Sequence, residues 1–166
     1  NGILTALKPV LVHHNIKLSD DEILELYAKL ESKIEKSEFV TYKNVLRKIM
    51  EEVGSKFAFD LSSSENDCLV ESLKNWPPFP DTVESLQTLK GKFKLAIISN
   101  IDDDLFAYSA KHLAVNFDYI ITAEQVRSYK PALDNFEFAI RKIGVSPDKI
   151  LHVAQSIYHD IVPAKA

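Results

Sequence analysis

Leu95-Ala96-Ile97-Ile98-Ser99-Asn100 is an unbroken apolar run that ends in a hydroxyl and an amide. A strand with one wet face alternates apolar and polar residues, whereas a strand buried on both faces of a parallel sheet reads as a continuous apolar run. Tyr119-Ile120-Ile121 repeats the pattern, and amphipathic stretches of helical length separate the runs. From Thr82 onward the expected order is helix 82–90 closed by Gly91, strand 94–99, helix 103–113, strand 117–121, helix 133–143 closed by Gly144, and strand 150–154. Strands and helices in alternation define an α/β fold, a doubly wound, Rossmann-like parallel sheet.

Upstream the rhythm is different. Ser19-Asp20-Asp21-Glu22 is a capping box, and Ile23, Leu26, Tyr27, Leu30 and Ile34 follow it at the helical period. A second amphipathic run, Val45, Leu46, Ile49, Met50 and Val53, starts near Thr41 and is expected to stop at Gly54 with a left-handed cap. A third run carries Leu69, Val70 and Leu73 behind the cap candidates Ser62-Ser63-Ser64-Glu65. Trp76-Pro77-Pro78-Phe79-Pro80-Asp81 cannot continue any helix, because proline lacks the amide donor and forces its predecessor into extended geometry. The expected domains are therefore a helical region over 1–75, a proline-rich linker over 76–81 and a partial α/β core over 82–166.

Composition narrows the function. The 166 residues are 46% hydrophobic and 27% charged, enough for one core or a small core with an added subdomain. The net charge of −4, with Lys and Arg scattered, gives no footprint for nucleic acid or anionic lipid. No apolar stretch is long enough to span a membrane and no basic-then-apolar leader opens the sequence, so the expectation is a soluble, cytoplasmic protein acting on a small molecule. The four glycines are too far apart for GxGxxG or a Walker loop, and HExxH, GxSxG and EF-hand patterns are absent. Cys68, alone, forbids an internal disulfide and reads as an inert small hydrophobe. His13-His14, His112 and His152 have no metal-ligand spacing with any partner and are assigned to solvent or packing.

Ligands of open parallel sheets bind beyond the carboxyl ends of the strands. Those positions hold Ser99, Asn100 and Asp102–Asp104 after the first strand, Thr122, Glu124 and Lys130 after the second, and Gln155, Ser156, Tyr158, His159 and Asp160 after the third. Taken singly, each has an ordinary structural explanation: Asp102–Asp104 as helix-start acids, Lys130 as a loop lysine, Asp160 as a helix cap. Taken together, Ile97-Ile98-Ser99-Asn100, Ser128-Tyr129-Lys130-Pro131 and the 152–160 strand and acid loop resemble, in order and strand context, motifs two, three and four of the haloacid dehalogenase-like hydrolases. The helical region before Pro77 is similar to the cap of that superfamily.

The resemblance implies roles. Ser99 would orient the substrate, and Asn100 would help cradle a departing halide, as in the 2-haloacid dehalogenase branch. Lys130 would balance the charge of a nucleophilic aspartate, and Asp160 would pair with the lysine or, in a phosphatase, bind magnesium. The implied core departs from the pattern in four ways. No DxxGT-type opening strand is present, so the nucleophile and the final strands are expected to lie outside these residues and this chain by itself to be inactive. Gln155 stands where phosphatases carry an acid. No arginine occurs over 27–36, where a halide-binding one is expected, and Phe136 replaces a tyrosine. The implied activity is metal-independent, cofactor-free hydrolysis of a small 2-substituted (2-halo) carboxylic acid. The alternatives are a magnesium-dependent phosphatase and a non-catalytic binding protein of the same fold. A homo-oligomer is compatible with all three.

Overall fold

Ser19 starts the first of the amphipathic helices by a reciprocal exchange: its hydroxyl accepts from the Glu22 amide at 3.3 Å, and the Glu22 carboxylate accepts from the Ser19 amide at 2.7 Å. The computed structural model describes residues 1–166, which form two units, Asn1–Pro77 and Pro78–Ala166. In the first unit α1 (Gly2–His13), α2 (Asp20–Glu35) and α3 (Tyr42–Phe57) are followed by the short α4 (Ser63–Asn66) and α5 (Cys68–Ser72). Their apolar faces meet in one core of Leu7, Leu11, Ile23, Leu46, Ile49, Met50 and Leu69, each at most 2% exposed. Ser62 and Glu65 form a second capping box, so the serine cluster opens α4. Trp76 packs on Gly2, where a Cβ would stand 2.2 Å from the indole nitrogen, and donates to the Ser72 hydroxyl at 3.0 Å.

One buried polar network ties this unit together. The phenols of Tyr27 and Tyr42 lie 3.0 Å apart and both donate to Glu31 Oε1, at 2.8 and 2.7 Å. Burial, reinforced for Tyr42 by Tyr27 and for both by the Glu31 carboxylate, pushes the two phenols well above the usual tyrosine range. Burial likewise pushes the Cys68 thiol up to about 11, which makes it unreactive.

Gly54 does not close α3. The helix runs three residues further and ends in a Schellman motif at Ala58, φ 57°, with the Phe59 amide donating to the Gly54 carbonyl at 3.0 Å. Gly54 is instead buried within the helix, where a Cβ would come 3.0 Å from the Phe59 carbonyl oxygen.

The second unit alternates as expected up to residue 143: α6 (Thr82–Lys90), β1 (Ala96–Ser99), α7 (Asp103–Leu113), β2 (Tyr119–Thr122), α8 (Ala123–Val126) and α9 (Leu133–Ile143). β1 and β2 pair in parallel, Ala96 opposite Tyr119 and Ser99 opposite Thr122. β1 starts two residues late because the Asp118 carboxylate takes the Leu95 amide at 2.7 Å, leaving only the Leu95 carbonyl to the neighbouring chain. The strands are also less buried than a continuous apolar run implies: β1 is half-buried to exposed, and Ile121 is the apolar side chain of the pair that is fully enclosed. Gly144 closes α9 at φ 72°, a conformation that only glycine adopts without strain.

The strand expected at 150–154 does not form. The segment is extended and alternates, with Leu151 86% and Val153 80% exposed and His152 and Ala154 half-buried, but no strand lies beside it to supply a ladder. It leads into one π-helical turn, Ile157–Ile161, and the short α10 (Val162–Ala164). No helix is long and apolar enough to cross a membrane.

Candidate active site

The carboxyl end of β1 gathers the polar side chains of the second unit. Asn100, the first residue after Ser99, clasps the backbone of Lys130 from both sides: its Oδ1 accepts from the Lys130 amide at 2.8 Å and its Nδ2 donates to the Lys130 carbonyl at 3.2 Å. The clasp holds together loops 30 positions apart, next to a cis Lys130–Pro131 bond. Lys130 Nζ donates to the Ile98 carbonyl at 3.0 Å and to Asp160 Oδ1 at 2.6 Å. Both charged side chains are nearly enclosed, 11% exposed for Lys130 and 10% for Asp160, so close geometry and the added bond to the Ile98 carbonyl must offset their desolvation.

Asp160 reaches the lysine from the π-helical turn, an irregularity that often marks functional sites. Ser156 opens that turn: its hydroxyl accepts from the His159 amide at 3.1 Å. Asp160 is thus an interior residue of the turn and not a helix cap. Ser99 lies between Ile98 and Asn100, the two residues that bind Lys130. The structure therefore brings Asn100, Lys130 and Asp160 into direct contact and sets Ser99 in the same stretch of backbone.

Neighbouring polar residues have structural partners. Asp103 Oδ1 accepts from the Thr122 hydroxyl and from Gln125 Nε2, each at 2.7 Å, and Glu124 accepts from the Asp103 amide at 2.8 Å. These contacts join the loops after β1 and β2. Asp102 is 1% exposed at the start of α7. Gln155, in contrast, is exposed.

Two groupings escaped the sequence reading. His152, assigned to solvent or packing, stands with Nε2 3.6 Å from Asp160 Oδ1 and its ring edge-on to Phe136 at 5.5 Å. That nitrogen is buried and has no hydrogen-bond partner. The alternation of residues 151–154 was the available signal, since it puts His152 on the inward side. In the first unit, His13 and His14 both contact Glu65, a partner more than fifty positions away that no local spacing rule would find.

The enclosed Lys–Asp pair and the Ser-Asn step lie beyond the carboxyl end of a parallel strand, where open α/β sheets bind their ligands. The sequence profile of the haloacid dehalogenase-like hydrolases matches residues 8–166, and the chain belongs to that family. It is 30% identical over 95 residues to (S)-2-haloacid dehalogenase 4A of Burkholderia cepacia, covering 55% of this chain and 41% of that protein. It is 32% identical over 93 residues to the glyceraldehyde 3-phosphate phosphatase of Methanothermobacter thermautotrophicus, covering 52% and 40%. These matches span well under two thirds of the length of either relative. The crystal structure of the L-2-haloacid dehalogenase PA0810 superposes with a TM-score of 0.82 at 18% identity, over 99% of this chain and 73% of that one, which establishes the common fold.

Proposed function

We propose that this chain supplies the helical cap, residues 1–75, and much of the catalytic core of an enzyme that hydrolyses a small 2-halo carboxylic acid. The nucleophile is an aspartate carried outside residues 1–166. Its carboxylate oxygen attacks the halogen-bearing carbon, the carbon–halogen bond breaks, and halide leaves with the bonding pair. Water then cleaves the resulting ester, returning the carboxylate and releasing a 2-hydroxy acid.

The observation that carries this reading is the Lys130 ammonium, pinned by the Ile98 carbonyl and by Asp160 at 2.6 Å. An anionic substrate beside a carboxylate nucleophile needs a fixed cation to hold both ionised, and a pre-placed ammonium supplies it without reorganisation. Ser99 orients the substrate through its hydroxyl. Asn100, fixed by its two hydrogen bonds to the Lys130 backbone, helps cradle the departing halide.

Magnesium is bound through carboxylate oxygens in a near-octahedral set. The 155–160 loop provides Asp160, whose Oδ1 already takes the ammonium, and an exposed neutral amide at Gln155. These residues suit charge balance by lysine better than a magnesium site, so the reaction is assigned as cofactor-free. The similarity to a phosphatase supports the second reading, magnesium-dependent phosphate release with Asp160 on the metal. The substrate in either case is a small anion handled in the cytoplasm, with no nucleic-acid or membrane partner.

The test is an assay of the whole enzyme on 2-chloropropionate and on an aryl phosphate, with and without chelator. Chelator-resistant halide release, falling at least about 100-fold in Lys130→Met, is expected. Chelator-sensitive phosphate release without halide release establishes the phosphatase reading instead, and turnover of neither substrate overturns both readings.

A further inference from the structure

We propose that His13, His14 and Glu65 form a binding site, within the first unit, for one divalent transition-metal ion of the zinc type. His13 Nδ1 lies 2.8 Å and His14 Nε2 3.0 Å from the same atom, Glu65 Oε1, and the three ligand atoms all lie within 4.8 Å of one another. Zinc–nitrogen and zinc–oxygen bonds of about 2.0–2.2 Å place neighbouring ligands of a tetrahedral ion about 3.3 Å apart. Entry of an ion therefore needs the carboxylate to draw back from the imidazoles by a few tenths of an ångström and the two imidazole nitrogens, no more than 4.8 Å apart, to turn toward a common centre.

The three side chains are already aimed. Glu65 Oε2 is occupied by the Ser62 amide at 2.9 Å and the Ser62 hydroxyl at 2.7 Å, which fixes the carboxylate plane and turns Oε1 toward the histidines. The His14 ring is stacked on Phe59, centroids 3.9 Å apart and planes 14° apart. Such outer contacts set ligand orientation in metal sites and are as much part of the site as the ligands. His14 and Glu65 are mostly enclosed, at 19% and 13% exposed, while His13 is 73% exposed and forms the open side. Three protein ligands with one open side leave the fourth position to water.

The donor set selects the ion. Two imidazoles and one carboxylate suit zinc, copper or nickel, whereas calcium and magnesium need oxygen throughout. The geometry is also informative about consequence. His13 ends α1 and Glu65 lies in α4, so a bound ion joins two elements that are distant in sequence and the unfolded chain cannot reproduce the site.

Zinc binding by the full protein, metal-stripped, is measured by competition with a chromophoric chelator, and cobalt is used as a spectroscopic stand-in. One equivalent is expected to bind at micromolar affinity or tighter. Cobalt should give the visible bands of a four-coordinate nitrogen/oxygen site. His13→Ala and Glu65→Gln should each weaken binding at least tenfold, and zinc should raise the melting temperature of the wild-type protein but not of these variants. Gln at this position can keep the capping contact, and His13 is exposed, so both variants are expected to fold. Cys68→Ser should bind as wild type. Absence of stoichiometric zinc binding, or binding undiminished in both His13→Ala and Glu65→Gln, overturns the proposal and leaves the cluster as a hydrogen-bonded clip.

Discussion

Lys130 and Asp160 are each other's principal charge partner in an enclosed setting, and this makes their contribution to stability separable from their contribution to chemistry. Lys130→Met leaves Asp160 a nearly enclosed carboxylate with the His152 imidazole, 3.6 Å away, as its nearest remaining neighbour among basic side chains. Removing one member of a buried pair costs about 3–5 kcal/mol, whereas removing both together costs much less. Asp160→Asn should cost less than Lys130→Met, because the ammonium keeps the Ile98 carbonyl. Urea unfolding of the two single variants and the double variant is expected to give a coupling energy of about 3 kcal/mol or more. Strict additivity would show that the pair is not formed in solution. That these residues meet agrees with the expectation drawn from their order after predicted strands, but the strand expected before Asp160 does not form, and the π-helical turn delivers the carboxylate instead. The Asn100 clasp on the Lys130 backbone was not legible, because side-chain-to-backbone contacts between loops leave no periodic trace.

Helix α3 shows where periodicity misleads. Its apolar repeat ends at Val53, and the glycine that follows is the residue most often found in a left-handed cap, so the repeat and the glycine together point to the wrong terminus. The chain continues because Gly54 is needed for a close approach, with the Phe59 carbonyl 3.0 Å from where its Cβ would be, and Ala58 takes the left-handed position. Opposite outcomes are expected for two substitutions four residues apart. Gly54→Ala should destabilise by about 1–3 kcal/mol through overpacking against backbone. Ala58→Gly should stabilise by about 0.5–1 kcal/mol, by relieving a side chain at positive φ. Thermal melts of both variants decide the matter, and the reverse signs would return the helix end to Gly54. The segment 150–154 makes the complementary point: it was expected to be a strand, but a strand needs a hydrogen-bonding neighbour, and no property of the segment itself specifies one.

At the scale of a whole unit, the buried phenols of residues 1–77 set a sensitivity to alkali. The first buries Tyr27 and Tyr42 on a shared Glu31 oxygen, and both phenols are raised well above their ordinary value near 10. A group whose folded pKa is raised holds its proton in the native state after the unfolded state has lost it. The stabilisation is therefore complete below about pH 10 and is lost as pH rises through the raised native values, with a slope approaching about 1.4 kcal/mol per pH unit for each phenol. Cys68, raised to about 11, acts with the same sign from a lower starting pH, so the comparison belongs in a Cys68→Ser background. Trp76, the one tryptophan, packs on Gly2 inside this unit and reports on it alone. Urea midpoints read from its fluorescence should fall steeply above about pH 10. Tyr27→Phe and Tyr42→Phe, each of which removes one ionisable phenol and one hydrogen bond to Glu31, should start from a lower stability and show a shallower decline. An unchanged slope in both variants would mean that the phenols are not held protonated by this network, and that alkaline loss in the first unit arises elsewhere.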